Sequence, residues 1–336
     1  MENGPMLTRI GCIFTSKNEL FPHLIEKSAP ILESLEFKDE ALLNVKALIF
    51  DDKGQPMVYP RLRRLDVSTG NTLMPGDRLC VDKRIAPFPN LRYLRWHSIY
   101  AFEDDTLFRG NSGTLECMDI LVDTNLADTL QRRKVFADCK YSQLCNVSVG
   151  IIDANDTIPL ELDTFIRLSV NFVVPATKSF TLDFVDLSDI AGLVAESQHL
   201  GNIQHLNLTG YTGRLQHLLT IVKLMPSMTK LTCRRDINEL GPGNLDLGSF
   251  IDGLYIMYYP LSHRLRYWEV LVGSDNEIEN IAASALALAA LCTDFVLAYV
   301  PLRYREAFGH RIKEAIESGL YDKYLDKIQR LLRIMD

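Results

Sequence analysis

Pro60-Arg-Leu62-Arg-Arg-Leu65-Asp-Val67 and Pro89-Asn-Leu91-Arg-Tyr-Leu94-Arg-Trp96 are two copies of one template. Proline opens it, and three apolar residues follow in the pattern P-x-L-x-x-L-x-φ, with φ apolar. The template returns at Pro5/Leu7/Ile10/Cys12, Pro30/Leu32/Leu35/Phe37 and Pro226/Met228/Leu231/Cys233. Pro175/Thr177/Phe180/Leu182 fits with one weakened position. Other units keep the triplet without the proline: Leu115/Met118/Ile120, Leu144/Val147/Val149, Ile203/Leu206/Leu208, Leu265/Trp268/Val270 and Cys292/Phe295/Leu297. One L-x-x-L-x-L carries little information, whereas six prolines in a single register carry much. The eleven origins run from residue 5 to residue 290. They lie roughly 28 residues apart, near the upper end of leucine-rich-repeat lengths.

The template has a physical reading. Side chains alternate faces along a strand, so the second and third apolar positions point together into a core. The residues flanking the second position point the other way. Proline fixes φ just ahead of the strand and ends what precedes it without removing a ladder donor. Between triplets, Leu20, Leu24 and Ile25, then Leu193, Val194 and Leu200, then Leu215, Leu218, Leu219, Val222 and Leu224 recur with helical spacing. The unit reads as helix, tight turn, strand. One unit cannot bury its own apolar face, but stacked units share a continuous core. The predicted fold is an α/β leucine-rich-repeat-like solenoid, a horseshoe with parallel strands on the concave face and helices on the convex face.

The predicted organisation is a solenoid of about eleven units over 1–302 and a C-terminal helical cap over 303–336. Asp51-Asp-Lys-Gly54 after Val45–Phe50 reads as a turn between two strands, a hairpin insertion near 45–60 in place of a helix. Gly241-Pro-Gly243 marks a loop in the longest unit. Glu306 to Ser318 and Tyr321 to Ile334 read as helices, the second with Tyr321, Tyr324, Leu325, Ile328, Leu331 and Leu332 on one face. The repeat register starts at residue 5, so the N-terminal end lacks such a cap and calls for cover from a partner or from sequence upstream.

The chain has 336 residues, a net charge of −7, 47% apolar and 24% charged residues, the composition of a folded chain. Its mild acidity gives no reason to expect a nucleic-acid partner. The start has no basic, then apolar, secretory pattern. Thr293 and Asp294 interrupt the Ala-rich stretch from Ile281 to Val300, which falls short of the ~20 apolar residues of a spanning helix. No membrane partner is expected. Seven cysteines, an odd number with no C-x2-C pair, argue against a disulfide framework or zinc site and for a reduced intracellular location, cytoplasmic or nuclear.

Pro60-Arg-Leu-Arg-Arg-Leu65, Phe88-Pro-Asn-Leu-Arg-Tyr-Leu94, Asp104-Asp-Thr-Leu-Phe-Arg-Gly-Asn-Ser-Gly-Thr-Leu115 and the Asp51–Gly54 turn resemble fungal F-box/leucine-rich-repeat-type proteins. The likeness runs over nearly the whole chain. It implies a substrate-recognition half of a ubiquitin-ligase receptor. In such proteins a short helical module ahead of the repeats binds a cullin-linking adaptor. The repeat register leaves no room for that module, so an adaptor partner is expected only if an F-box lies outside this chain.

No catalytic, cofactor or metal set emerges. Gly110-Asn-Ser112-Gly113 lacks the G-x-S-x-G spacing and reads as a turn. No phosphate-binding G-x-x-x-x-G-K-[ST] is present, and His23, His97, His199, His205, His217, His263 and His310 include no H-E-x-x-H. Glu103-Asp104-Asp105 suits the start of a helix. The basic clusters at Arg61, Arg63, Arg64 and at Arg132, Arg133, Lys134 read as solvated faces.

What remains is the outward strand face. By alternation it carries Ser34/Glu36, Arg64/Asp66, Tyr93/Arg95, Cys117/Asp119, Asn146/Ser148, Ser179/Thr181, His205/Asn207, Lys230/Thr232 and Tyr267/Glu269. Arg and Tyr are favoured interface anchors. A protein partner is therefore expected on this concave surface, at Arg64, Asp66, Tyr93, Arg95, His205, Asn207, Lys230, Tyr267 and Glu269, with Arg64, Asp66, Tyr93 and Arg95 at the centre. The function expected is a non-enzymatic interaction module. The alternatives are a repeat scaffold unrelated to ubiquitination, or an enzyme or enzyme activator built on the repeats.

Overall fold

The computed structural model describes residues 7–14, 20–39, 46–69, 81–97, 105–122, 141–151, 172–183, 200–213, 222, 225–235, 265–271, 282, 285, 288 and 297–317. The chain divides into two compact units, Met1–Thr177 and Lys178–Asp336. Each is a solenoid of parallel strands taken in chain order, with few helices among the described residues.

The first unit holds β1 (Arg9–Phe14), β2 (Ser34–Asp39), β3 (Arg64–Thr69), β4 (Tyr93–His97), β5 (Cys117–Val122) and β6 (Asn146–Ile151), each parallel to the next. Every one begins inside a predicted triplet, and equivalent template positions face each other. Ile10, Leu35, Leu65, Leu94, Met118 and Val147 form one continuous rung, and all six are buried. Phe37, Val67, Trp96, Ile120 and Val149 form a second buried rung. The second unit repeats the arrangement in β7 (Ser179–Asp183), β8 (His205–Gly213), β9 (Lys230–Arg235) and β10 (Tyr267–Leu271), whereas the last strand, β11 (Leu297–Tyr299), corrects the expected register: Leu297, the third position of its triplet, pairs with Tyr267, and Ala298 pairs with Trp268. Phe180, Leu206, Leu231 and Trp268 are its buried rung. Full burial stabilises each such side chain by about 1.5–3 kcal/mol.

The proline has a defined place. In Tyr59–Leu62, Phe88–Leu91, Val174–Thr177 and Met225–Met228 the first carbonyl accepts from the fourth N–H, at 3.3, 3.4, 2.9 and 3.0 Å. Proline is the second residue of each turn, where its preset φ is favoured. The fourth residue is the first apolar residue of the triplet. Thr177, the weakened position, is fully buried because its hydroxyl is used twice. It donates to the Leu144 carbonyl at 3.2 Å and accepts from the Val174 N–H at 3.0 Å.

A second regularity follows each turn. The carbonyl of the residue before one strand accepts two N–H groups from the next coil. Glu33 O receives Arg63 N and Arg64 N at 2.9 and 3.2 Å, and Arg63 O receives Arg92 N and Tyr93 N at 2.9 Å each. Arg92 O and Glu116 O continue the series in the first unit, and Lys178 O, Gln204 O and Thr229 O in the second. This two-pronged step locks successive coils in one register.

Among the described residues, helices are few. The helix before Pro30 forms as α1 (Leu20–Ser28). Among the described residues between β3 and β4 there are only turns, and between β4 and β5 only the 3-10 turn η1 (Thr106–Phe108). The described residues of these coils therefore show no α-helix where the general helix–turn–strand unit expects one. Leu200 stands in the 3-10 turn η2 (Leu200–Asn202), and most of 193–224 lies outside the described residues, as does the Gly241–Gly243 loop.

The insertion near 45–60 is also corrected. Its expected first strand is the short helix α2 (Lys46–Ile49), and only a single antiparallel bridge, Phe50 with Pro56, closes the turn. The turn itself forms because Asp51 Oδ1 accepts from the Lys53 and Gln55 N–H groups at 2.9 and 2.7 Å. Tyr59 anchors the segment from below, its hydroxyl donating to Leu48 O at 2.6 Å and its ring stacked on Phe88 at 5.5 Å.

Near the C-terminus, η3 (Leu302–Tyr304) leads into α3 (Arg305–Glu317). Tyr304, Phe308 and Ile312, four residues apart, form its buried stripe. The expected helix over Tyr321–Ile334 lies outside the described residues. Among the described residues no helix is long and apolar enough to cross a membrane.

Candidate interaction face

The outward positions of the first unit form two ladders. Ser34, Arg64, Tyr93, Cys117 and Asn146 stand in register, and so do Glu36, Asp66, Arg95, Asp119 and Ser148. Their side chains are cross-linked. Arg95 Nε donates to Asp119 Oδ2 at 2.8 Å, and Arg95 Nη1 reaches Asp66 Oδ2 at 3.4 Å. Arg64 Nη2 donates to the same Asp66 oxygen at 3.2 Å. The Arg64 guanidinium also lies over the Tyr93 ring, 4.0 Å from its centroid. Such a stack is worth about 0.5–1 kcal/mol at an exposed site.

Asp66 departs from expectation. Strand alternation predicts an exposed position, yet it is only 2% exposed. Two guanidinium groups roof it, one from its own strand and one from the neighbouring β4. Both reach Oδ2, and Oδ1 is buried without a hydrogen-bond partner. Arg64 stands two residues before Asp66 on β3, and Arg95 is paired with Asp66 on β4 only ~4.8 Å away, so both long side chains fold over the short aspartate.

Asp119 is the second centre. His97 Nε2 lies 2.8 Å from Asp119 Oδ1, while Arg95 holds Oδ2. Partial burial pushes the Asp119 carboxyl up. Hydrogen bonds from His97, Arg95 and Ser148 outweigh that effect and hold it below the ordinary aspartate value. His97 and Asp119 lie outside the set of residues expected to bind. The strand period carries the signal: His97 is two residues beyond Arg95 on the same face, and Asp119 pairs with Arg95.

In the second unit His205, Lys230 and Tyr267 share one ladder, and Asn207 and Glu269 share the next with Thr232 between them. His205 and Tyr267 are exposed, and Lys230 is half-buried. Asn207 Oδ1 is buried without a hydrogen-bond partner. Thr232, read as an outward position, is buried at 7% exposure. The register therefore places all nine expected residues on these ladders, and the burial of Asp66 and Thr232 shows that a ladder position need not be an exposed one.

The remaining motifs resolve structurally. Gly110-Asn111-Ser112-Gly113 is a turn in which Asn111 is buried and its Nδ2 donates to Leu107 O at 2.8 Å. Asp105 precedes η1 without capping it. Its Oδ1 instead accepts from Arg109 Nε at 3.0 Å. Arg109 Nη1 in turn donates to the carbonyls of Val81, Asp82 and Ile85, tying that loop down. Among the described residues, His23, Glu26 and Asp52 bring three possible ligand atoms within 4.8 Å, but all three are exposed. Cys117 and Cys145 stand outside any disulfide, and burial pushes the Cys145 thiol up, while Cys233 Sγ accepts from Trp268 Nε1 at 3.3 Å. His199, His217 and Arg132–Lys134 lie outside the described residues. Comparison with protein-family models and with curated proteins yields no match for this chain.

Proposed function

We propose that the chain is a non-enzymatic protein-interaction module, a leucine-rich-repeat-like solenoid that receives a protein partner on its outward strand face. The observation that carries this reading is the cross-linked group Arg64, Asp66, Tyr93 and Arg95. Tyr93 is held beneath Arg64, and Arg95 is held between two carboxylates. Anchors already fixed in place lose little side-chain entropy on binding. Arg and Tyr are also the residue types that dominate interface energetics. The horseshoe form and the substrate-receptor role rest on the repeat period and on the resemblance to F-box/leucine-rich-repeat proteins.

The test is affinity copurification from intact cells, with the wild type compared with Tyr93→Ala/Arg95→Ala. Loss of a stoichiometric protein partner from the double variant, with retention by Leu302→Ala, supports the face. Unchanged capture by the double variant rejects it. A cullin-linking adaptor in the wild-type eluate supports the substrate-receptor role, and capture of another stable protein supports a plain scaffold.

A further inference from the structure

We infer that the first unit carries a second binding surface, a basic groove at the leading edge of its strands that takes an acidic peptide segment. The groove encloses about 360 Å³ and is lined by Glu33, Arg61, Arg63, Asn90 and Arg92, together with Pro60 and Thr114. Arg61, Arg63 and Arg92 are all exposed. The two-pronged backbone step makes this cluster. Glu33, Arg63, Arg92 and Glu116 are the residues immediately before β2, β3, β4 and β5, and each is hydrogen-bonded to the one before it. Arg63 and Arg92 therefore emerge side by side, ~4.8 Å apart along the stack. Arg61 joins them from the Pro60 turn.

Like charges so placed repel, and their internal compensation is thin. Arg92 Nη1 reaches Glu116 Oε1 only at 3.5 Å. Among the described residues neither Arg61 nor Arg63 has a carboxylate within ion-pair distance. Asn90 Nδ2 donates to Pro60 O at 2.8 Å, which fixes the groove wall. Guanidinium forks bind carboxylates in a bidentate manner, and charge complementarity calls for an anionic occupant. The size of the groove suits a few side chains. A groove of this size takes a few carboxylate side chains and not a run of backbone phosphates, so a short acidic peptide fits better than nucleic acid. This surface is separate from the sheet face and extends the binding-module reading to a second ligand.

The experiment is fluorescence anisotropy with a labelled oligo-glutamate peptide at low ionic strength. Saturable binding is expected, weakened about tenfold by Arg63→Ala and by Arg92→Ala, and unchanged by Arg84→Ala. Arg84 is outside the groove and pairs with Asp82 at 2.8 Å. Should an alanine variant fail to fold by circular dichroism, Arg63→Lys is read instead, with weaker binding expected from loss of the fork. The inference is overturned by an absence of peptide binding, by wild-type affinity in both arginine variants, or by tighter binding of a single-stranded oligonucleotide of equal charge. Tyr93→Ala/Arg95→Ala separates the two surfaces, since it is expected to keep the peptide whether or not it loses the sheet-face partner.

Discussion

Arg95 Nε lies 2.8 Å from Asp119 Oδ2 on the neighbouring strand, and the same guanidinium reaches back to the buried Asp66 on the other side. One side chain thus ties three consecutive coils of the first unit. Arg95→Ala leaves Asp66 with Arg64 as its remaining charged partner. We expect a loss of about 1–2 kcal/mol, modest because Arg95 is partly exposed. A double-mutant cycle of Arg95→Ala with Asp119→Ala, read by denaturant unfolding, should show coupling. Additive losses would remove the pair from the stability argument.

Acid sensitivity should follow from Asp119. Its carboxyl is held below the ordinary value, so its contribution is fully present above the unfolded pKa of about 4 and is lost as pH falls through the lower folded value. Thermal unfolding measured across that range should show an acid limb that Asp119→Asn flattens. Asp82, held down to about 2 by hydrogen bonds from Arg84, is exposed. Asp82→Asn should change the limb little, because solvent and salt screen that pair.

At the alkaline end two buried tyrosines matter. Burial pushes the hydroxyls of Tyr59 and Tyr141 well above the ordinary tyrosine value. Their folded forms stay protonated while the unfolded chain ionises. Stability is therefore complete below about pH 10 and declines as pH rises past it. Tyr59→Phe should shallow that decline. It should also cost about 1–3 kcal/mol at neutral pH, because Leu48 O loses its buried donor. An unaltered alkaline limb in Tyr59→Phe would assign the effect to other groups.

Two glycines with left-handed backbones should respond differently to alanine. Gly54 has φ +73° and open space where a Cβ would stand. Gly110 has φ +77°, and its Cβ would meet Ala86 Cβ at 3.1 Å and the Pro89 backbone at 3.5 Å. Gly54→Ala should cost about 1–2 kcal/mol from conformation alone. Gly110→Ala should cost more, since strain and a close contact add. Equal losses in urea unfolding would show that the loop relaxes.

The rungs themselves offer the largest effect. Leu94→Ala should cost about 2–5 kcal/mol, because Leu94 is fully buried in the middle of the first unit. Leu302→Ala, at a position 77% exposed, should cost almost nothing. A comparable loss at both positions in the same unfolding assay would contradict the buried rung.

The residue order alone determined where β1 to β10 begin, which of their residues share a face and which rungs are apolar, while the register of β11 escaped it. That follows because a strand alternates with a period of two and the P-x-L turn delivers each coil at the same phase. The proline, the first leucine and the strand start at Pro60, Leu62 and Arg64 needed no tertiary information. Only the tertiary structure decided that Asp66 is covered, that His97 and Arg95 grip one carboxylate, and that Arg63 and Arg92 open into a common groove. Those relationships join residues 22 to 29 positions apart. They depend on the spacing between coils and on how far each side chain reaches across it, and periodicity within one strand carries neither quantity.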